Sequence, residues 1–144
     1  MPSRSGSEKK NILITGVTSS IGRNLAIQLY NHRRVGMVFG VGKEKKPYYF
    51  NDLDPKRFIY RKSNILRYRD LKNLFHAKSF QKSKINTVVH LAFHNTQVRG
   101  EDVHELNVLG TKNLIENCIA DGKITKFVFK SSDVVYKLRP HNPT

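Results

Sequence analysis

The stretch Ile12-Leu13-Ile14-Thr15-Gly16-Val17-Thr18-Ser19-Ser20-Ile21-Gly22 constrains the fold more than any other part of the chain. It opens on a continuous apolar run, which suits a strand buried on both faces. It then passes at once into small and hydroxylated residues and a helix-like apolar spacing. A strand, a tight turn and a helix start, in that order, bring free N–H groups and the positive end of a helix dipole to the carboxyl edge of a sheet. An anion such as a pyrophosphate can sit there. Gly16 lets the backbone turn sharply at the strand end, and Gly22 lets the helix pack close to the sheet. Thr15, Thr18, Ser19 and Ser20 offer hydroxyl donors to phosphate oxygens. The three-glycine form of this turn is incomplete, because Ser19 or Ser20 stands at the middle position and its Cβ crowds a ligand's approach.

The same alternation continues along the chain. Strands are expected at residues 11–15, 35–41, 58–60, 87–92 and 127–130, and helices at 21–30, 68–78 and 101–120. Ile21, Leu25 and Leu29 would face the sheet from the first helix, and Leu71, Leu74 and Phe75 from the second. Val103, Leu106, Gly110, Leu114 and Cys118 line one side of the third, which Asp121-Gly122 stops. Strands alternating with helices predict an α/β fold, a doubly wound parallel sheet of Rossmann-like order 3-2-1-4-5. A ligand would lie across the carboxyl ends of strands 1 and 4, where the winding reverses.

A length of 144 residues and a hydrophobic share of 38% fit one globular domain. Residues 1–10 read as a disordered arm and 11–144 as the domain. No apolar stretch is long enough to span a bilayer, and the N-terminus lacks the apolar core of a signal peptide. The single cysteine, Cys118, lies in a helical apolar pattern, which excludes a disulfide framework. A cytoplasmic location is the expectation. His90, His94 and the other histidines do not cluster at metal-ligand spacing, so no metal site is expected. The formal charge of +15 is unusual. It is compatible with weak, salt-sensitive retention of nucleic acid, but no zinc-finger, RNP or KH pattern points to specific binding.

Four blocks resemble the extended short-chain dehydrogenase/reductases, the group of NAD-dependent epimerases, dehydratases and related reductases. Thr15-Gly16-Val17-Thr18-Ser19-Ser20-Ile21-Gly22 is similar to the TGxxGxxG turn, with Ser19 for its middle glycine. Val88-Val89-His90-Leu91-Ala92-Phe93 is similar to the fourth strand ending in HLAA. Asn107-Val108-Leu109-Gly110-Thr111-Lys112-Asn113-Leu114 is similar to NVxGTxNLL. Phe127-Val128-Phe129-Lys130-Ser131-Ser132-Asp133-Val134-Val135-Tyr136 resembles the fifth strand with its SSxxVY ending.

The resemblance implies a cofactor, NAD or NADP, with Gly16, Thr18, Ser19, Ser20, Ile21 and Gly22 around the pyrophosphate. It implies that Leu91, Ala92 and Phe93 wrap the ribose region, that Asn107 braces the catalytic centre, and that Ser132 bonds the substrate oxygen. At the end of strand 2 the family's acidic residue is replaced by Gly42 followed by Lys43, which favours the 2′-phosphate of NADP. Asn64, followed by Ile65, takes the place of the aspartate that meets the adenine amino group. No Tyr-x-x-x-Lys pair follows Ser132, and Tyr136 is followed four residues on by Pro140. The expectation is therefore a fold truncated after strand 5. The substrate domain would be absent, and the chain would bind cofactor without catalysing hydride transfer alone. Such a chain is expected to be marginally stable or to self-associate. The small-molecule substrate, a nucleotide sugar or related carbonyl or hydroxyl compound, would be held by the missing part. Members of the family often pair through helices of this domain, so the resemblance allows a homodimer. Two other readings stay open: a noncatalytic NAD(P)-sensing or protein-interaction module, and a basic nucleic-acid-binding protein.

Overall fold

In a computed structural model of the chain, which describes residues 8–92 and 105–131, β1 (Lys10–Thr15) lies at the centre of a five-stranded sheet. The order is β3-β2-β1-β4-β5, with β2 at Val35–Gly42, β3 at Phe58–Lys62, β4 at Thr87–His90 and β5 at Lys126–Phe129. All four pairings are parallel. This is the expected doubly wound order, and it leaves a crevice between the carboxyl ends of β1 and β4.

The strand period of two explains how both faces are covered. Leu13 packs with Phe39, Leu71, Phe75, Phe80 and Leu114 on the side of the later helices. Its neighbours Ile12 and Ile14 pack with Val17, Ala26, Val38, Phe50 and Phe58 on the side of α1 (Ser20–Tyr30). Burying each such large apolar side chain contributes about 2 kcal/mol relative to leaving it in water.

Several elements depart from the sequence expectation. β1 begins at Lys10, which the sequence places in the N-terminal arm. Its amide donates to the Arg34 carbonyl at 2.9 Å. Ile21 is 54% exposed, and the buried face of α1 is Gly22 and Ala26, four residues apart. The small Gly22 draws the helix onto the turn below it, which rotates Ile21 out to solvent. Leu25 and Leu29 pack only at the rim of that cluster.

The expected helix 68–78 is two helices, α2 (Tyr68–His76) and α3 (Lys78–Ser83), broken by extended backbone at Ala77, φ −63° and ψ 139°. The Gln81 side-chain amide donates to the Phe75 carbonyl and holds the break. β4 ends at His90 rather than residue 92: the Leu91 amide is shared between the Thr15 carbonyl and its hydroxyl, and the Ala92 amide turns to the hydroxyl. Of the expected helix 101–120, Val103 lies outside the described residues. Leu106–Gly110 forms a π-helical turn leading into α4 (Thr111–Asp121). Gly122, at φ +72°, closes α4 as the sequence indicates. Among the described residues no helix is long and apolar enough to cross a membrane. Cys118 is a buried free thiol, and burial, with Asp121 adding to it, pushes its pKa up to about 12. It is therefore not a thiolate at neutral pH.

Candidate functional site

The turn after β1 is built on close approach. Gly16 has φ +69°, and a Cβ there would lie 2.8 Å from the Ala92 nitrogen and 2.9 Å from the Leu91 carbonyl carbon. Only glycine fits both the backbone and the space. A Cβ on Gly22 would overlap the Gly16 carbonyl oxygen and lie 2.8 Å from Val17 Cα. Ser19, at the middle-glycine position, has extended backbone, φ −68° and ψ 160°, and caps α1. Its Oγ accepts from the Gly22 amide at 3.0 Å and donates to the Gly16 carbonyl at 2.8 Å. A serine therefore sits there without strain and stiffens the turn.

Hydroxyls that the sequence offers to phosphate are largely committed inside the fold. Ser19 spends its one hydrogen on Gly16, and the Thr18 hydroxyl donates to Glu44 Oε2 at 3.1 Å. Thr15 is buried and faces His90. The anion-binding capacity left at the turn is the first-turn backbone of α1, where the Ser20 and Ile21 amides find no carbonyl among the described residues.

Beside this turn opens a cavity of about 510 Å³, within the usual range for small-molecule sites. Gly16, Thr18 and Ser19 form one wall. Val41, Gly42, Lys43 and Glu44 at the end of β2 form a second, and Ser63, Asn64 and Ile65 after β3 a third. Leu91, Ala92 and Leu106 complete it. The structure thus brings together Gly16, Thr18, Ser19, Lys43, Asn64, Ile65, Leu91 and Ala92. Ser20, Ile21 and Gly22 lie on the helix start beside the cavity. Asn107 lies in the π-helical turn and is not among the lining residues. Phe93 and Ser132 lie outside the described residues.

Two polar lining residues escaped the sequence reading. Glu44 is held at two points, its carboxylate by Thr18 and its carbonyl by the Tyr60 hydroxyl at 2.6 Å. Burial first, then Glu44 and Tyr49, push the Tyr60 phenol up to about 12, so it remains a donor at neutral pH. Ser63 is the other. Its oxygen is the buried side-chain polar atom without a hydrogen-bond partner among the described residues, a state that costs about 1–3 kcal/mol. Next to it, Asn64 Oδ1 accepts from the Leu66 amide at 3.0 Å, so part of its expected acceptor capacity is used locally. Asn113, from the NVxGTxNLL-like block, donates to the Ile65 and Leu66 carbonyls at 3.1 and 3.3 Å and ties α4 to this wall.

Behind the cavity lies a buried polar relay. Thr15 Oγ1 accepts from the Leu91 and Ala92 amides at 3.2 and 3.4 Å, which leaves its hydrogen for His90 Nδ1 at 2.6 Å. Nε2 therefore carries the ring proton and donates to Thr111 Oγ1 at 2.8 Å. His90 is fully buried, and burial lowers its pKa to about 4. An unfolded chain binds this proton near pH 6.5 and the folded chain only near 4, so protonation favours unfolding. The contribution of His90 is full above pH 6.5 and is lost as pH falls towards 4, by about 3 kcal/mol in all. Urea unfolding between pH 7 and 4 measures it.

The model of the NAD dependent epimerase/dehydratase family matches residues 12–144. The chain belongs to the NAD-dependent epimerase/dehydratase family. Among its curated relatives, an uncharacterised protein of Mycobacterium tuberculosis is 27% identical over 139 residues. The match covers 93% of this chain and 35% of that protein, so the chain spans about a third of the relative's length. The fold is shared with the enzyme WbmH of Bordetella bronchiseptica, solved in complex with NAD+. That likeness has a TM-score of 0.72 and 18% identity, and covers 93% of this chain and 43% of that one. Uronate dehydrogenase from Agrobacterium tumefaciens shares it too, with a TM-score of 0.66 and 18% identity over 87% of this chain and 41% of that one. Epimerase Mth375 from Methanothermobacter thermautotrophicus has a TM-score of 0.67 and 26% identity, covering 88% and 36%. The family and fold agree with a dinucleotide-binding domain of oxidoreductase or epimerase type.

Proposed function

We propose that the cavity between the β1 turn and the ends of β2, β3 and β4 binds a nicotinamide dinucleotide, as part of an oxidoreductase, epimerase or dehydratase acting on a nucleotide sugar or related compound. The observation that carries this reading is the Gly16–Ser19 turn. It is closed against Leu91 and Ala92 and opens the α1 N-terminus beside a cavity of the right size. When bound, the cofactor supplies hydride chemistry. The chain's part is to cradle the pyrophosphate at Gly16–Gly22, to flank the adenosine with Asn64 and Ile65, and to wall off the ribose region with Leu91, Ala92 and Phe93. Ser132 would bond the reacting substrate oxygen, with Asn107 bracing the centre behind it. A cytoplasmic location, where nicotinamide cofactors are abundant, suits this role.

Cofactor choice turns on two neighbours. Lys43 favours the 2′-phosphate of NADP, as the sequence suggests. Glu44 favours NAD, because its carboxylate, held by Thr18 on a backbone that Tyr60 pins at the same wall, accepts a ribose hydroxyl and repels a phosphate. The fixed acid is the stronger argument, and we expect NADH to bind about tenfold tighter than NADPH, a figure kept modest because Glu44 is exposed. Glu44→Gln should bring the two within about twofold. Parallel calorimetric titrations decide it. A wild-type preference for NADPH would transfer the role to Lys43.

A further inference from the structure

We infer that Ser63 is a cofactor contact, its hydroxyl bonding the adenosine end of the dinucleotide. This rests on the proposed function and assigns one atom within it. Buried hydroxyls in folded proteins have partners, and an exception points to a partner that is not part of the chain. Ser63 is 7% exposed, lines the cavity and has no partner for its Oγ among the described residues. The equally buried Ser83 shows the ordinary case, donating to the Ser79 carbonyl at 2.7 Å. The backbone of Ser63 is fixed, since its amide donates to the Gly42 carbonyl at 2.9 Å. That bond places the residue where β2 and β3 end, next to Gly42 and Ile65 and on a different wall from the pyrophosphate turn.

The oxygen is shielded from solvent, so bulk water does not serve it. One staggered step about χ1 moves a serine oxygen by about 2.3 Å, enough to change the wall atom it presents. A hydroxyl both donates and accepts, which suits a purine edge carrying ring nitrogens and an amino group. Asn64, the neighbour expected to read that edge, already spends acceptor capacity on Leu66. Ser63 supplies the contact that Asn64 gives up.

The test is Ser63→Ala in the full chain, with melting of the free protein and calorimetric titration with NADH, ADP-ribose and AMP. Removing an unpaired hydroxyl widows no other group, so the free variant should melt at or above the wild-type temperature. Its Kd should rise about fivefold to tenfold for all three ligands, the loss of one hydrogen bond. Unchanged affinities in a variant that melts normally would overturn the inference and leave the proposed function standing. A melting temperature lowered by more than about 3 °C would overturn it too, by showing a structural hydroxyl. A loss confined to NADH and absent with AMP would move the contact away from the adenosine. Failure of the wild-type chain to bind any of the three would instead fall on the proposed function and take this inference with it.

Discussion

Gly22→Ala should lower the unfolding free energy by about 2–3 kcal/mol and abolish saturable NADH binding. A methyl group at this position meets the Gly16 carbonyl oxygen and Val17 Cα, both backbone and neither able to swing away. The turn must open or α1 must lift from the sheet. Either movement also separates Ser19 Oγ from the Gly22 amide and uncaps the helix. Alanine's better helix propensity returns about 1 kcal/mol, which the overlap exceeds. Gly122→Ala is the control. It has φ +72° but nothing within 4 Å of its Cβ, so it should cost about 1 kcal/mol and leave binding intact. Urea unfolding and an NADH titration of both variants measure the contrast. Equal, small losses in the two would mean that α1 does not rest on the turn as described.

His90→Ala should cost about 3–4 kcal/mol. The loss combines a cavity in a fully buried position with two threonine hydroxyls, Thr15 and Thr111, that lose their common partner. The consequence reaches the site, because Thr15 is also what the Leu91 and Ala92 amides hold. Loosening it frees the wall that closes over Gly16. The variant should also lose the fall in stability between pH 6.5 and 4, since the group responsible is gone. A wild-type acid profile that persists in His90→Ala would assign that profile to other groups.

What was legible in the sequence was what is decided locally. The β1 turn, the strand alternation and the Gly122 stop rest on neighbours a few residues apart, and their chemistry carried through to the fold. What was not legible depends on tertiary partners. Ile21 has the spacing of a core residue, yet Gly22 sets the contact face and turns it outward. Nothing between Tyr68 and Lys78 breaks a helix by propensity; the break at Ala77 is held by Gln81 reaching back to Phe75. Ser19 looked like a defect in a glycine motif, but the backbone there is extended and the side chain is the helix cap. Glu44 sits among Lys43, Lys45 and Lys46, and the resemblance at the end of strand 2 points to Gly42 and Lys43 instead. Only Thr18, on the carboxylate, and Tyr60, on the backbone carbonyl, both distant in sequence, reveal Glu44 as held. Ser63 carries no motif, and its signal is a missing bond that only coordinates can display.

The most direct test of the central claim is residue-resolved. Amide 15N–1H spectra of the chain should be followed through a titration with NADH. The account predicts saturable shifts concentrated at Gly16–Gly22, at Gly42–Glu44, at Ser63–Ile65 and at Leu91 and Ala92. Shifts confined to the basic surface between Lys56 and Lys84 and erased by salt, or no saturable shift in a folded chain, would contradict it.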